Sequence, residues 1–228
     1  MKRKIDDVAA AYDKWAPIYD TDGNPLVALD DEIVPDMFPR DLENKEALDV
    51  GCGTGRHLVK LLLAGARAIG VDASPGMLRT ARERAPGAKL IQHDVGAGVL
   101  PFADARFDFV LCTLVLEHVQ DLAPPIAEIA RVMKPGARAL ISDIHPSMRE
   151  RGTQANFTDP DTGDDVLPPS FPHAVADYAR AAERAGLHVD EVEEHAGTPE
   201  LVKATLRAAR YVGWPMLVTL RLSRPGAR

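Results

Sequence analysis

The stretch Ala47-Leu48-Asp49-Val50-Gly51-Cys52-Gly53-Thr54-Gly55-Arg56-His57 decides how this chain is read. Ala47 to Val50 has the character of a short buried strand. Gly51, Gly53 and Gly55 then form a turn in which the backbone is free to take positive φ and a ligand meets no Cβ. The apolar run from Leu58 to Leu63 continues as a helix. In an open α/β sheet, the crevice beyond the C-terminal end of such a strand is where nucleotide-like ligands bind.

Working outward, the same strand-then-helix texture recurs. Ala68 to Asp72 reads as a second strand ending in an acid. Ser74 is a good N-cap, with Pro75 at the first helical position, for a helix to about Arg84. Lys89 to Asp94 reads as a third strand, again ending in an acid, and Phe107 to Cys112 as a fourth. An amphipathic helix from Ile126 to Met133, stopped by Pro135-Gly136, leads to a fifth strand from Ala137 to Asp143. Alternation of this kind implies right-handed crossovers and a parallel sheet covered on both faces. Further on, a helix from Ala174 to Ala185, a strand from Leu187 to Glu193, a helix from Pro199 to Tyr211 and a last strand from Met216 to Leu222 complete the pattern. The expected fold class is therefore α/β, a Rossmann-like three-layer sandwich. Its seven-stranded sheet is mostly parallel, with an antiparallel last strand.

Two segments stand outside that alternation. The first is N-terminal, residues 1–40. Ile5, Val8, Ala9, Tyr12 and Trp15 fall at helical spacing, and Leu26 to Met37 reads as a second helix. Tyr12, Trp15 and Tyr19 crowd together in a chain only 5% aromatic. They either dock a helix on the core or form a cap folded over a ligand. The second is the polar, turn-rich segment 145–172. Here Gln154 to Phe157 and Asp165 to Leu167 are placed to pair as a hairpin around Asp159-Pro160-Asp161-Thr162-Gly163. One domain over 1–228 is expected, with 1–40 as a helical cap and 145–172 as a hairpin lid.

Composition narrows the partners. A formal net charge of -7 argues against a nucleic acid held by electrostatics, since such domains usually carry a basic face. No apolar run approaches a membrane span, and the charged N-terminus lacks the apolar region of a secretory leader. The two cysteines, Cys52 and Cys112, sit in strand-like contexts and suit a reducing, cytoplasmic setting. A monomer or homodimer is expected.

The glycine spacing discriminates between ligands. A dinucleotide fold would show G-x-G-x-x-G, but here the third glycine comes one residue early. A phosphate loop would follow its last glycine with lysine and a hydroxyl residue, but here Arg56-His57 follows. Asp72, at a neighbouring strand end, is positioned to accept both hydroxyls of a ribose. Asp94 is suited to accept from an exocyclic amine such as adenine's. Asp49 opposes a phosphate but tolerates a cation. An adenosine ligand without phosphates and with a cationic centre points to S-adenosylmethionine (SAM).

At this point the chain resembles the class I SAM-dependent methyltransferases, in the small-molecule branch that includes ubiquinone and menaquinone biosynthesis enzymes. The resemblance rests on Leu48-Asp49-Val50-Gly51-Cys52-Gly53-Thr54-Gly55, Val71-Asp72-Ala73-Ser74-Pro75-Gly76-Met77-Leu78, His93-Asp94 and Phe107-Asp108-Phe109-Val110. Leu116-Glu117-His118-Val119 and Arg131-Val132-Met133-Lys134-Pro135-Gly136 match as well, and Tyr12 to Asp20 is similar to the branch's Tyr-Asp…Tyr-Asp segment. That similarity favours the cap reading of the aromatic cluster. The resemblance implies that Gly51 and Gly53 line the methionine portion of SAM, that Asp72 holds the ribose and that Met77 packs on the adenine. It puts Asp94 and Val95 at the adenine edge and Cys112 and Thr113 beside the methyl donor. Tyr19, Cys52 and Ala73 complete the implied cofactor set. S-adenosylhomocysteine (SAH) is the implied product, and no metal is expected.

The implied activity is methyl transfer to oxygen, nitrogen or carbon of a small molecule. An acceptor that must lose a proton calls for a general base. His118, after the fourth strand, and His145, after the fifth, are the candidates, and both also admit structural readings. Tyr12, Trp15, Arg149, Arg151 and His173 are candidate substrate contacts, the arginines for an acidic group. His57 is read as facing the sheet or solvent, and Trp214 as packing on the lid or in the core. A SAM-binding protein without catalysis and a nicotinamide-dependent oxidoreductase are the alternatives, the short glycine spacing counting against the second.

Overall fold

The computed structural model describes residues 2–5 and 7–226; Met1, Asp6, Ala227 and Arg228, and with them the two ends of the expected 1–228 domain, lie outside the described residues. The chain begins with β1 (Lys2–Lys4), α1 (Val8–Trp15) and α2 (Pro25–Ile33). It then alternates β2 (Glu46–Val50), α3 (Arg56–Leu63), β3 (Arg67–Asp72), α4 (Pro75–Arg84), β4 (Lys89–Gln92), β5 (Phe107–Thr113), α5 (Ala123–Val132) and β6 (Met133–Ile144). The remainder is α6 (Pro146–Glu150), β7 (Phe157–Thr158), β8 (Asp165–Leu167), α7 (Val175–Arg184), β9 (His188–Ala196), α8 (Pro199–Ala204) and β10 (Pro215–Ser223).

Seven strands form one sheet in the order β4-β3-β2-β5-β6-β10-β9, parallel except for β10, which runs antiparallel to both neighbours. The strand order reverses between β2 and β5. Their C-terminal ends, Val50 and Cys112 paired in register, therefore border the crevice of the switch point. Alternation along the central strands sorts two cores. Leu48, Val50, Val110 and Cys112 face Ile126, Ile129 and Ala182 of α5 and α7. Ala47, Phe109 and Leu111 face Leu58 and Leu61 of α3. Both faces are apolar because both are covered.

Local chemistry sets the helix starts. Ser74 Oγ accepts from Met77 N–H at 3.0 Å, with Pro75 in the first turn. Asn24 Oδ1 accepts from Leu26 N–H at 3.0 Å ahead of Pro25. Gly65, at φ +80, allows the left-handed exit from α3.

A third core joins the two segments that lie outside the sheet alternation. Trp15, Tyr19, Val27 and Leu29 pack with Met148, Phe157, Val166 and Tyr211. Trp15 stacks on Phe157, with ring centroids 4.9 Å apart and planes at 17°. Full burial of side chains this size contributes about 1.5–3 kcal/mol each. Lys14 Nζ adds an ion pair to Asp159 at 3.3 Å. The N-terminal strand completes the join: β1 pairs in parallel with β8, giving a small sheet β1-β8-β7.

Several boundaries differ from the sequence expectation. The third strand stops at Gln92, and Asp94 instead caps a short 3₁₀ turn, accepting from Gly96 N–H at 2.8 Å. The fifth strand starts at Met133, which already pairs with Phe107, and Pro135-Gly136 fall in a register irregularity before the pairing resumes at Arg138 with Phe109. The expected second helix divides into α2 and a 3₁₀ turn at Val34–Met37, and the expected helix from Pro199 divides into α8 and a 3₁₀ turn at Leu206–Tyr211. In the hairpin only Phe157–Thr158 pairs with β8, so Gln154 to Asn156 stay outside the ladder. Lys2–Lys4 forms a strand just upstream of the segment expected as a helix from Ile5, and α1 starts only at Val8, behind its Asp7 cap.

Candidate active site

The crevice at the switch point is a cavity of about 600 Å³. Its floor is the glycine turn. Gly51 and Gly53 take φ of +72 and +51, and Gly55 at +80 starts α3. A Cβ on Gly51 would stand 2.2 Å from Val115 Cγ2, so glycine lets the turn close on the loop after β5. A Cβ on Gly53 would meet nothing within 4 Å, because that side opens on the cavity.

Asp72 organises the next wall. Its Oδ2 accepts from Gly53 N–H and its Oδ1 from Ser74 N–H, both at 2.8 Å. Burial raises its pKa from the usual carboxylate value, and these two N–H donors oppose the rise. Asp49, in contrast, lies beneath the turn and off the cavity. It is 1% exposed, its two oxygens lack hydrogen-bond partners, and burial pushes its pKa up to about 8. Burial thus works against the fixed charge that the sequence reading gave it.

The N-terminal segment closes the cavity through residues that sequence reasoning quoted without assigning a role. Asp13 Oδ1 accepts from Ser74 Oγ–H at 2.5 Å and Gly76 N–H at 2.6 Å, a carboxylate at the N-terminus of α4 where the helix field favours it. Gly76 is what permits the approach, since a Cβ there would lie 2.8 Å from that oxygen. Asp20 accepts from Thr54 Oγ–H at 2.9 Å and pairs with Arg84 at 2.7 Å. The Tyr-Asp repeat thus places each aspartate on the cofactor-side framework.

A buried ionic hub underlies one end of the cavity. Asp30, fully buried, accepts from Ser142 Oγ–H at 2.6 Å and from Arg56 at 3.2 Å, and meets His57 Nε2 at 2.7 Å. Burial opposes its ionisation, but the His57 hydrogen bond, followed by the charges of His57 and Arg56, holds its pKa below the usual value. Arg56 also pairs with Asp31 at 2.7 Å. Both Arg56 and His57 line the cavity, and His57 Nδ1 is buried without a partner. His57 is therefore turned away from solvent, its Asp30 partner bonding Ser142 of the sheet, which leaves the sheet-facing alternative standing.

Of the sequence candidates, Tyr12, Tyr19, Gly51, Cys52, Gly53 and Asp72 line the cavity, as do Ala73, Met77, Asp94, Val95, Thr113 and His118. Trp15 lines a smaller chamber of about 50 Å³ that shares Tyr12, Tyr19 and Leu114 with it. Cys112 points into the core beneath α5. His145 is drawn away from both cavities: its Nδ1 accepts from Ser147 N–H at 3.1 Å as the cap of α6, and its Nε2 faces Glu194 at 3.4 Å. His173 Nε2 donates to Val119 O at 2.8 Å. Arg149 donates to Ser170 Oγ at 2.6 Å, and Arg151 lies over the Trp214 ring, 3.9 Å from its centroid. Neither arginine lines either of these two cavities.

His118 remains in place. Its Nδ1 sits 2.5 Å from Pro169 O, an atom that only accepts, so Nδ1 carries the proton. In the neutral ring Nε2 is then free to accept the Tyr12 hydroxyl proton at 2.7 Å. Burial, then Tyr19 and Glu117, lift Tyr12 well above the ordinary phenol range, and burial carries Tyr19 to about 12.

The comparisons with known proteins bear on this geometry. A methyltransferase domain profile matches residues 48–141, from β2 into β6. An uncharacterized methyltransferase of Emericella nidulans is 34% identical over 216 residues, covering 78% of this chain and 75% of that protein. The chain belongs to the class I SAM-dependent methyltransferases. A demethylmenaquinone methyltransferase of Tropheryma whipplei is 38% identical over 103 residues, and there the match spans only 43% of the relative's length. Among solved structures, a SAM-dependent methyltransferase from Mesorhizobium loti superposes with a TM-score of 0.69 at 23% identity, over 85% of this chain and 96% of that one. The [4+2]-cyclase SpnF superposes at 0.70 with 17% identity, over 96% of each chain. These structures share the fold with this family member.

Proposed function

We propose that the protein transfers a methyl group from SAM to a small-molecule acceptor bound beneath the joined cap and lid. The observation that carries this reading is the roof. The 1–40 cap and the 145–172 lid share one apolar core and one small sheet above the cavity. A chamber roofed in this way suits a small acceptor better than a nucleic acid or a protein surface, and the net charge of -7 agrees.

The residues present suit the cofactor. Gly53 leaves open space at the turn, and His57 Nδ1 is an unpartnered polar atom on the cavity wall beside Arg56. In this reading Gly51, Cys52, Gly53, Arg56 and His57 hold the amino-acid end. Asp72 and Ala73 hold the ribose, Met77, Asp94 and Val95 the adenine, with Tyr19 and Thr113 closing the middle. When bound, SAM supplies a methyl group already activated on sulfur, so the protein's task is placement.

On the acceptor side, Tyr12 and His118 are the residues positioned to take a proton. The Tyr12 oxygen accepts from the acceptor as its own proton passes to His118 Nε2. The cap and lid exclude water that would screen the charges. Calorimetric titration with SAH and NADH tests the cofactor, and incubation of labelled SAM with a panel of small acceptors tests the transfer. Binding of SAH, no response to NADH and label in a small product are expected. Tight NADH binding without SAH binding would sink the reading.

A further inference from the structure

The smaller chamber, behind Tyr12, Tyr19 and Leu114, has a chemistry of its own. Tyr12, Trp15, Tyr19 and Tyr211 contribute rings to its wall. Trp15 lies 5.4 Å from Tyr12 and 5.1 Å from Tyr19, centroid to centroid. The polar edge of Trp15 is committed, its Nε1–H donating to Asp22 Oδ2 at 2.8 Å, so toward the chamber it offers aromatic surface. Glu117 supplies the carboxylate, in a side chain only 3% exposed.

Glu117 is incompletely satisfied. Its Oε2 accepts from Ser170 Oγ–H at 2.9 Å, and its Oε1 stands 3.8 Å from His118 Nε2. An ionised carboxylate has about four acceptor sites, so capacity remains for a donor from a ligand. Asp143, fully buried nearby, is held well above the usual carboxylate range by burial and then by Glu117 itself, which works against a second charge there. It accepts from Ile144 N–H at 2.8 Å and Tyr178 O–H at 3.1 Å. The cation that lines the chamber is Arg207, which is exposed, donates to Asp22 O at 2.8 Å and has the Asp22 carboxylate close enough to feel its charge. Arg149 reaches Glu117 only through Ser170.

A buried carboxylate ringed by aromatic faces is costly unless a positive charge joins it, and aromatic faces attract such a charge directly. From this juxtaposition we infer that the chamber is a recognition pocket for a small organic cation, an alkylammonium head group seated between Glu117 and the rings of Tyr12, Trp15, Tyr19 and Tyr211. At about 50 Å³ it admits a head group and not a whole metabolite. The body of the ligand extends past the shared wall of Tyr12, Tyr19 and Leu114 into the larger cavity. The inference rests on the methyltransferase reading insofar as it identifies this cation with part of the acceptor.

Three shape-matched probes test it: benzylammonium, benzyl alcohol and benzoate, titrated in the millimolar range by NMR with and without saturating SAH. Benzylammonium is expected to bind about tenfold tighter than benzyl alcohol, with benzoate weakest. Glu117→Gln should cost benzylammonium about tenfold and leave benzyl alcohol unchanged. Tyr211→Leu, which keeps the carboxylate, should weaken benzylammonium several-fold, guarding against a Gln variant that folds poorly. Equal or tighter binding of either other probe, no benzylammonium binding, or undiminished binding to Glu117→Gln would overturn the inference. SAH binding without any cation preference removes the chamber proposal alone. Failure of the wild type to bind SAH removes the cofactor reading, while the probe series still judges the chamber.

Discussion

The Tyr12 hydroxyl and His118 Nε2 are 2.7 Å apart, although 106 positions separate them in the chain. With Nδ1 of the same ring bound to Pro169 O, a single histidine links α1 to the 145–172 segment. The link fixes a tautomer, and the tautomer is observable. Nitrogen NMR of the free protein should show the proton of the neutral His118 ring on Nδ1. A ring protonated on Nε2 instead would remove His118 as the acceptor of the Tyr12 proton. Tyr12→Phe should leave SAH affinity within a few-fold and lower turnover on any acceptor that must lose a proton, by about 10²–10⁴.

Asp72 makes the sharpest cofactor prediction. Its carboxylate organises the turn through Gly53 and Ser74 and also faces the cavity. Each hydrogen bond to a charged group is worth about 1.5–3 kcal/mol. Asp72→Ala should therefore weaken SAH by about a hundredfold or more in calorimetry. Asn at the same position keeps one acceptor oxygen and should fall between. Unchanged SAH affinity in the Ala variant would refute the ribose assignment.

The two glycines of the turn separate folding from binding. Alanine at Gly51 meets both a left-handed φ of +72 and the Val115 side chain at 2.2 Å. The backbone term alone costs about 1–2 kcal/mol, enough to lower the melting temperature by several degrees. Alanine at Gly53 carries a comparable backbone cost at φ +51 but no clash, and its methyl faces open space at the cavity. Gly53→Ala should thus melt above Gly51→Ala while losing SAH affinity. Equal melting of the two variants would contradict the close approach of Val115.

These pairs also show what could be read before any coordinates. The sheet was legible because Leu48, Val50, Val110 and Cys112 alternate against glycine and proline punctuation, a signal local to each strand. Asp72 and the glycine turn were legible for the same reason. The hairpin partner of Lys2–Lys4 was not, because three consecutive basic residues carry no strand pattern and the pairing to Asp165–Leu167 is wholly non-local. His145 and His118 look alike in sequence, each following a strand. They diverge because Ser147 N–H sits two residues past His145 and takes its Nδ1 as a helix cap. Asp13 and Asp30 were invisible as organisers, since their partners Ser74 and Ser142 lie 61 and 112 positions away.

The stack of Trp15 on Phe157 predicts how cap and lid move. Phe157→Ala removes that contact, and losses of about 3–5 kcal/mol are typical for a buried phenylalanine. That core meets the main sheet at the ends of β6 and β10, through Ile144, Met216 and Leu217, and leaves out the residues that pack the sheet centre, so the loss should fall mainly on the 145–172 segment. Limited trypsin digestion should cut faster at Arg149 and Arg151 in the variant, with the melting of the main sheet little changed. Cleavage at the wild-type rate would mean that the stack does not hold the lid.

Asp49 yields a pH dependence with a definite sign. Burial holds its folded pKa at about 8, against about 3.9 for an unfolded aspartate. Between those values the unfolded chain has released a proton that the folded protein retains. The unfolded state then binds fewer protons, and stability falls as pH rises. The contribution is fully present below about pH 4 and is lost progressively up to about pH 8, at about 1.4 kcal/mol per pH unit for one proton. Asp49→Asn keeps the shape and has no proton to lose. Urea unfolding of both proteins at about pH 5 and about pH 8 isolates this group from the others, because only the difference between them is read. The variant should gain on the wild type by several kcal/mol across that interval. A constant difference would place an ionised Asp49 beneath the glycine turn, and with it a fixed negative charge under the site.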